Sequence, residues 1–408
     1  MTFLYSLGLG LYYLMIFIAS PFNSKARQWI RGRTGLFKEI KKRVNADDNI
    51  YWFHISSLGE FEQGRPLIEA IKAKYPSVKI LVTFFSPSGY EPRKNYKTAD
   101  YIFYLPPDSK RNASRFIELI NPSKAFFIKY EFWYHYLNGL KKQNTPVYLV
   151  SANFRSGQVF FRWYGGWFRK MLRIFSHIFV QNTVSEKLLK EIGLENVTVS
   201  GDTRFDRVAE IARQSVIIEL AEEFSKDSIV IICGSTWDKD EDILVQYINT
   251  SHRKIKYIIA PHEIHPSKIE RLIKKLDKPS FRFSSGTIKN INDYQVLIID
   301  NIGMLSSLYR YADIAYIGGG FGAGIHNILE AATFGLPVVF GPNYRKFREA
   351  ADLAAAGGAF PVNNFGDLKS RFDKLLENLQ YKEAGKISKE YVIKNQGATL
   401  KILDIIKG

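Results

Sequence analysis

Residues 317–342 read IGGGFGAGIHNILEAATFGLPVVFGP. A short apolar run ends in Gly318, Gly319 and Gly320, passes through Gly322 and Gly324, and gives way to an amphipathic stretch at about 327–335. Pro337 then opens a second apolar run. Strand, glycine turn, helix, strand is the order of a parallel βαβ unit. Glycines let backbone approach a ligand closely, and the free N–H groups at a helix start favour an anion such as phosphate. The spacing predicts a helix that begins near His326 and Asn327. Glu330, three residues on, either completes a capping arrangement with Asn327 or reaches outward to a hydroxylated ligand such as a ribose. Plain tight-turn geometry would use the same glycines, so the stretch speaks first to the fold.

The same alternation runs outward from it. Upstream, NIYWFHIS leads to a helix near 60–74, VKILVTFFS to a turn at PSGYEP, and ADYIFYLP to SKRNASRFIELIN. KAFFIKYE leads to FWYHYLNGLKKQ, and PVYLVSAN to a long aromatic helical stretch, followed by HIFVQN and VTVSGDT. The pattern restarts at IVIICGS, with helices expected near 239–250, 266–276 and 346–356 and a long charged helical tail from about 366 to 407. Short apolar runs between helices mark parallel strands. Two such series in 408 residues predict two doubly wound domains. The expected division is 1–22 for an N-terminal segment, 23–205, and 206–408, with the C-terminal helix a candidate to cross back onto the first domain. In such folds ligands bind at the carboxyl ends of the strands, so two facing domains would build a cleft between those ends.

Several strand ends carry candidate groups. FHISSLGEFEQG (53–64) places Glu60 where a strand gives way to a helix, as either a capping acid or a catalytic one, with Glu62 the expected solvent-facing acid. CGSTWDKDE places Ser235 and Thr236 after a strand, as donors to a phosphate or sugar or as a plain N-cap. APHEIHP places Pro261, His262 and His265 at the next, with no third ligand at zinc spacing, so no metal is expected. NIGML places Gly303, Met304 and Leu305 in a loop, where backbone groups could grip a nucleobase edge.

Composition narrows the partners. Lys and Arg number 57 against 40 Asp and Glu, a net charge of +17, which calls for anionic partners. From Phe3 to Phe22 there is no charged residue, and Lys25, Arg27, Arg31, Arg33, Lys38, Lys41, Lys42 and Arg43 follow with Glu39 as the only acid among them. That length and flank predict a spanning or deeply embedded membrane anchor with the rest of the chain cytoplasmic. A helix lying at the surface, or a secretory signal, is the alternative. Ser151 to Val184 holds no acid, and interleaves Arg155, Arg162, Arg169, Lys170 and Arg173 with aromatics. This suits a membrane interface or a phosphorylated lipid, and equally an amphipathic helix on the core. No nucleic-acid module accompanies the charge. The single cysteine, Cys233, excludes an internal disulfide and a cysteine metal cluster.

Read together, HISSLGEFEQGRPLIEAI, LVTFFSPSGYE, EFW, SAN, GDTRFD, GSTWDKDE, PHEIHP and the glycine-rich stretch resemble, in order and spacing, the 3-deoxy-D-manno-octulosonic acid (Kdo) transferases. The resemblance covers nearly the whole chain. It implies a GT-B architecture and transfer of Kdo from CMP-Kdo to a lipid A precursor, with an acceptor-binding first domain and a donor-binding second. It implies Glu60 as proton acceptor and a CMP site at Pro261, His262, Gly303, Met304, Leu305, Asn327, Ile328, Leu329 and Glu330. Ser235, Thr236, Arg204 and Glu131 are supporting candidates, and no cofactor is expected. Three departures from the family pattern stand out. Pro261-His262-Glu263 replaces Pro-Arg-His. Only Glu131 remains of a Glu-x-Glu-x-Trp pattern. Asp202-Thr203-Arg204-Phe205-Asp206 stands for Asn-x-Lys-Phe-Asp. A sugar hydroxyl needs its proton removed and CMP needs its phosphate stabilised, and one base with one stabilised leaving group suggests inversion. Rival readings are a GT-B transferase or epimerase for another nucleotide sugar, and a non-catalytic membrane-associated homologue. The implied location is the inner membrane, catalytic domains on the cytoplasmic side, with anionic lipid as a partner.

Overall fold

The structure is a computed structural model that describes residues 1–286 and 290–406. Lys407, the end of the expected helical tail, lies outside the described residues. Two compact units form: Met1–Arg207 together with the final segment from Gly397, and Val208–Gln396.

The first unit is built on a seven-stranded sheet of β1 (Ile50–Ile55), β2 (Lys79–Phe84), β3 (Tyr101–Tyr104), β4 (Lys124–Ile128), β5 (Val147–Ala152), β6 (His177–Val180) and β7 (Val197–Val199). Its order is β3-β2-β1-β4-β5-β6-β7, with every pairing parallel. Alternating side chains pack on both faces. Phe53 stacks on Phe126 with ring centroids 4.5 Å apart. Trp52, on the other face, meets Phe116, Phe127 and Tyr136 edge-on. Burial on both sides is why these strands read as continuous apolar runs.

The second unit repeats the plan with β8 (Ile229–Thr236), β9 (Ile255–Pro261), β10 (Ser280–Arg282), β11 (Val296–Ile298), β12 (Ile314–Ile317), β13 (Val338–Phe340) and β14 (Ala359–Pro361). Its order is β10-β11-β9-β8-β12-β13-β14, again parallel throughout. Each sheet reverses its winding beside its first strand, between β1 and β4 and between β8 and β12. Those are the switch points at which doubly wound folds open a crevice.

Four local expectations are corrected. PSGYEP is the start of a helix, Pro87–Arg93, because Ser86 caps it and Pro87 occupies its first position. The aromatic stretch after β5 forms only a 3-10 turn at Val159–Phe161 and a short helix at Gly166–Leu172. A side chain at Gly165 would fall 2.0 Å from the Val159 carbonyl oxygen, so the chain turns sharply there. The helix expected at 327–335 spans only Leu329–Ala332, because the Asn327 side chain takes up the Leu329 N–H and Ile328 becomes the cap. The C-terminal tail is three helices, Phe365–Leu376, Gln380–Asn395 and Ala398–Ile405, broken by left-handed backbone at Asn378, Leu379 and Gly397.

The last of these helices packs on the helix Leu58–Lys74 within the first unit. It is pinned by Asp206, whose carboxylate accepts from Gly397 N at 2.6 Å and from Thr399 N and Oγ1 at 2.7 Å. One helix among the described residues, Thr2–Ala19, is long and apolar enough to cross a membrane.

Candidate active site

In the first unit, Glu60 occupies the third position of the helix Leu58–Lys74, directly after β1 at the switch point. Its side chain is half-buried, and Ser57 Oγ donates to Glu60 Oε2. The Ser-x-x-Glu spacing therefore forms a side-chain pair that orients the carboxylate at the carboxyl end of the sheet. Glu62 is not a freely solvated acid: Arg93 donates to it at 2.9 Å, and Arg207 lies 3.6 Å away.

Glu131 follows β4, on the other side of the same switch point. The turn between them holds Lys129 in the left-handed region at φ 72°. Non-glycine residues persist there only where the surroundings impose it, and such positions cluster at functional sites. The Glu131 carboxylate is buried and accepts from His54 Nε2 at 3.2 Å and from Trp133 Nε1 at 2.6 Å. Burial alone would raise its carboxyl. The hydrogen bond and charge of His54, with Ser56 and Trp133, outweigh that and hold it below the ordinary glutamate value. His54 is fixed on its other side by Thr83 Oγ1, 2.9 Å from Nδ1, and Thr83 also accepts from Trp52 Nε1 at 2.8 Å. A cavity of about 410 Å³ opens here, lined by Ser56, Phe85, Glu131 and Trp133, with Tyr5 and Tyr12 of the N-terminal helix.

Arg204 is the second residue of the helix Thr203–Arg213, which follows β7. Its guanidinium donates to Asp202 at 2.8 and 2.9 Å, so that Asp202 orients it. Thr203 bridges Ser151, 3.0 Å away, and the Gln63 carbonyl at 2.5 Å. The SAN and GDT strand ends are thereby tied to the helix that carries Glu60.

In the second unit, the turns after β8, β9 and β12 converge. Ser235 has φ 53° and sits at a register shift in β8. Thr236 is buried, and its hydroxyl donates to Glu241 at 3.1 Å. The central fastener is Asp240, which accepts from Gly319 N at 2.8 Å, Trp237 N at 3.0 Å and Tyr316 OH at 2.7 Å. It joins the β8 and β12 loops. Gly318 has to be glycine, because a Cβ would lie 2.3 Å from the Ser235 carbonyl oxygen.

Three rings stack across these loops. His262 lies 4.5 Å from both Trp237 and His326, centroid to centroid. Trp237 Nε1 donates to His326 Nε2 at 3.0 Å. Indole N–H is only a donor, so that imidazole nitrogen carries no proton. Burial, then the neighbouring His262, pushes the His326 pKa down in the same sense. A cavity of about 640 Å³ opens beside the stack, lined by Trp237, Lys239, Lys268, Phe321 and His326. A larger one, about 820 Å³, lies at the amino-terminal ends of the strands, near Ser228, Lys254 and Lys278, away from all of these loops.

The remaining candidates fall nearby. Asn327 Nδ2 donates to Glu330 Oε1 at 3.1 Å, so the two form a pair. Ile328 and Leu329 are buried, which leaves their backbone as the part able to meet a ligand. Gly303 has φ 95°, Met304 Sδ accepts from Asn301 at 2.9 Å, and Leu305 opens a short helix. Pro261 ends β9, and His262 N donates to the Thr236 carbonyl at 2.9 Å. Glu60, Glu131 and Arg204 thus belong to the first unit and all the other candidates to the second. No group of three or more His, Cys, Asp or Glu placed to hold a metal occurs among the described residues.

The profile of the family described as "3-Deoxy-D-manno-octulosonic-acid transferase (kdotransferase)" matches residues 28–207. The 3-deoxy-D-manno-octulosonic acid transferase of Rickettsia bellii is 29% identical over 98% of this chain and 96% of its own. That of Haemophilus influenzae is 28% identical over 87% of this chain and 86% of its own. The chain is thus similar to Kdo transferases along nearly its whole length, and residues 28–207 match that family's profile. A UDP-GlcNAc 2-epimerase from Neisseria meningitidis, solved with UDP-GlcNAc bound, covers 88% of this chain and 100% of its own, with a TM-score of 0.62 and 17% identity. That likeness concerns the fold, which is GT-B.

The sequence alone does not single out His54, Trp237 and Asp240. His54 had a visible signal, a polar residue inside an otherwise apolar strand. Asp240 is the third residue of its helix and accepts from the N-cap Trp237 N–H, but its bond to Gly319 spans 79 positions and leaves no local trace.

Proposed function

We propose that this glycosyltransferase moves Kdo from CMP-Kdo to a lipid A precursor at the cytoplasmic face of the inner membrane, with Glu60 as general base. The observation that carries the reading is the position of Glu60: a half-buried carboxylate at the β1 switch point, oriented by Ser57. A carboxylate there can take the proton of an acceptor hydroxyl as it attacks the anomeric carbon. The C–O bond to the CMP phosphate breaks as the new glycosidic bond forms, and configuration inverts.

In this reading the second unit holds the donor. Pro261, His262 and the Gly303–Leu305 turn meet the cytidine, the Asn327–Glu330 pair meets the ribose, and Ser235 and the glycine-rich loop approach the phosphate. The backbone N–H group of Ile328 completes that set. Arg204, oriented by Asp202, and Glu131 support the reacting centre from the first unit. The groove beside Glu131, walled by Phe85, Trp133 and tyrosines, suits the sugar rings of a glycolipid. The chain's net charge of +17 suits that lipid's phosphates, and no cofactor takes part.

The test is a transfer assay with CMP-Kdo and a lipid A precursor, reading product mass. Product heavier by one or more Kdo residues supports the proposal, and no product with correctly folded protein overturns it. Thermal stabilisation by CMP but not UDP separates it from the use of another nucleotide sugar.

A further inference from the structure

The N-terminal helix, Thr2–Ala19, is bonded to the first unit along most of its length. Its half-buried positions are Thr2, Tyr5, Leu9, Tyr13 and Ile16, spaced by three and four residues, so they form one stripe. Thr2 donates to Tyr134 OH at 3.2 Å and Ser6 contacts His135 at 3.0 Å. Tyr5 OH donates to the buried Asp108 at 2.6 Å, and Tyr13 OH accepts from Asp108 N at 3.0 Å. The Tyr13 ring also stacks on Trp29, 5.5 Å away.

The opposite stripe is Phe3, Leu7, Leu11, Leu14 and Ile18, all exposed, Phe3 by 76%. Both ends of the helix are basic. At its start, a cavity of about 330 Å³ is lined by Thr2, Asn138, Lys141, Lys170 and Arg173. At its end stand the exposed Lys25, Arg27 and Arg31. Trp163, 91% exposed, precedes the short helix whose Trp167 lies 5.5 Å from Tyr5.

We infer that this helix lies in the plane of one membrane leaflet and does not span the bilayer, its outward stripe in the acyl boundary and its two basic ends on anionic lipid phosphates. A spanning helix needs its ends on opposite faces of a hydrocarbon layer about 30 Å thick. Here both ends belong to one folded surface. Spanning would either carry Asp108, His135, Lys141, Lys170 and Arg173 into hydrocarbon or break the bonds from Thr2 to Tyr13, leaving Asp108 buried without Tyr5. In-plane seating satisfies every group: apolar stripe to acyl chains, cations at headgroup depth, and an aromatic at the interface. The inference rests on the membrane placement in the proposed function and uses none of its chemistry.

Sidedness tests it. The full chain carries one reactive cysteine, either in a short N-terminal tag or as Lys25→Cys, since Cys233 is buried. Inside-out and right-side-out membrane vesicles are exposed to a membrane-impermeant thiol reagent. In-plane seating predicts that both positions react from the cytoplasmic side, and reaction from opposite sides overturns it. In flotation with vesicles, Lys170→Ala/Arg173→Ala is expected to weaken partition onto anionic lipid by about tenfold or more, with little change on neutral lipid. Unchanged partition on anionic vesicles would overturn the part assigned to the basic end. Kdo transfer by a chain labelled from opposite faces refutes the in-plane helix alone, and same-side labelling without transfer refutes the catalytic proposal alone.

Discussion

His54 Nε2 lies 3.2 Å from Glu131 Oε2, and the two side chains are 0% and 9% exposed. The pair bridges β1 and the turn after β4 across the switch point that carries Glu60. His54→Phe leaves a buried carboxylate short of a hydrogen-bond donor and is expected to cost about 1.5–3 kcal/mol. Chemical denaturation of His54→Phe, Glu131→Gln and the double variant measures the coupling, and strictly additive losses would refute it.

The same pair sets an acid dependence. The folded Glu131 carboxyl is held below 4.5, so just under that pH the unfolded chain binds the proton more readily than the folded one. The stabilisation is present above 4.5 and lost as pH falls through the lower folded value. Urea midpoints of wild type and Glu131→Gln should differ at about pH 7 and converge towards about pH 3. A difference that grows on acidification would contradict the sign.

Glu60→Gln keeps the size of the side chain and its contact with Ser57. Transfer should fall by about 10²–10⁴-fold while CMP still stabilises the protein thermally. Near-normal turnover would remove Glu60 from the role of base.

Asp240→Ala strands the Gly319 and Trp237 N–H groups and the Tyr316 hydroxyl, each buried or partly so. About 1–3 kcal/mol per stranded group is the expected scale, together with weaker CMP binding because the β8 and β12 loops separate. Calorimetry with CMP checks the second effect, and unchanged affinity would mean that the loops hold without it.

Asp206→Ala removes three acceptor contacts from the start of the final helix. Release of that helix should appear as faster amide exchange across residues 397–406, and across the helix Leu58–Lys74 beneath it. Protection unchanged at both would place the helix's anchorage elsewhere.

The sequence is legible where the physics is periodic. Apolar runs such as IVIICGS and IKYIIAP become β8 and β9 because strands covered on both faces need unbroken hydrophobicity. Glycine-rich turns mark the strand ends for the reason seen at Gly318, where backbone approaches backbone. Legibility stops where long-range contacts decide. Asn327 and Glu330 belong to one motif, yet Asn327 takes up the Leu329 N–H and the helix expected from them begins only at Leu329. The aromatic stretch at 154–168 looks helical by composition, but Phe154 and Phe160 are drawn into the core and the glycines break the run. The inner and outer stripes of the first helix share one apolar character and part only through tyrosine hydroxyls, which carry little weight in a hydropathy reading.

The return of the last helix to the first unit has a consequence for biosynthesis. Residues Val208–Gln396 intervene between the two parts of that unit. At ribosomal speeds of about 5–20 residues per second, that is a wait of roughly ten to forty seconds. During it the amino-terminal half exists without its closing helix, while its apolar leading helix is already exposed. The leading helix is therefore made and presented before its first unit can be completed, and stop codons near the end of the gene should injure the half of the protein made first.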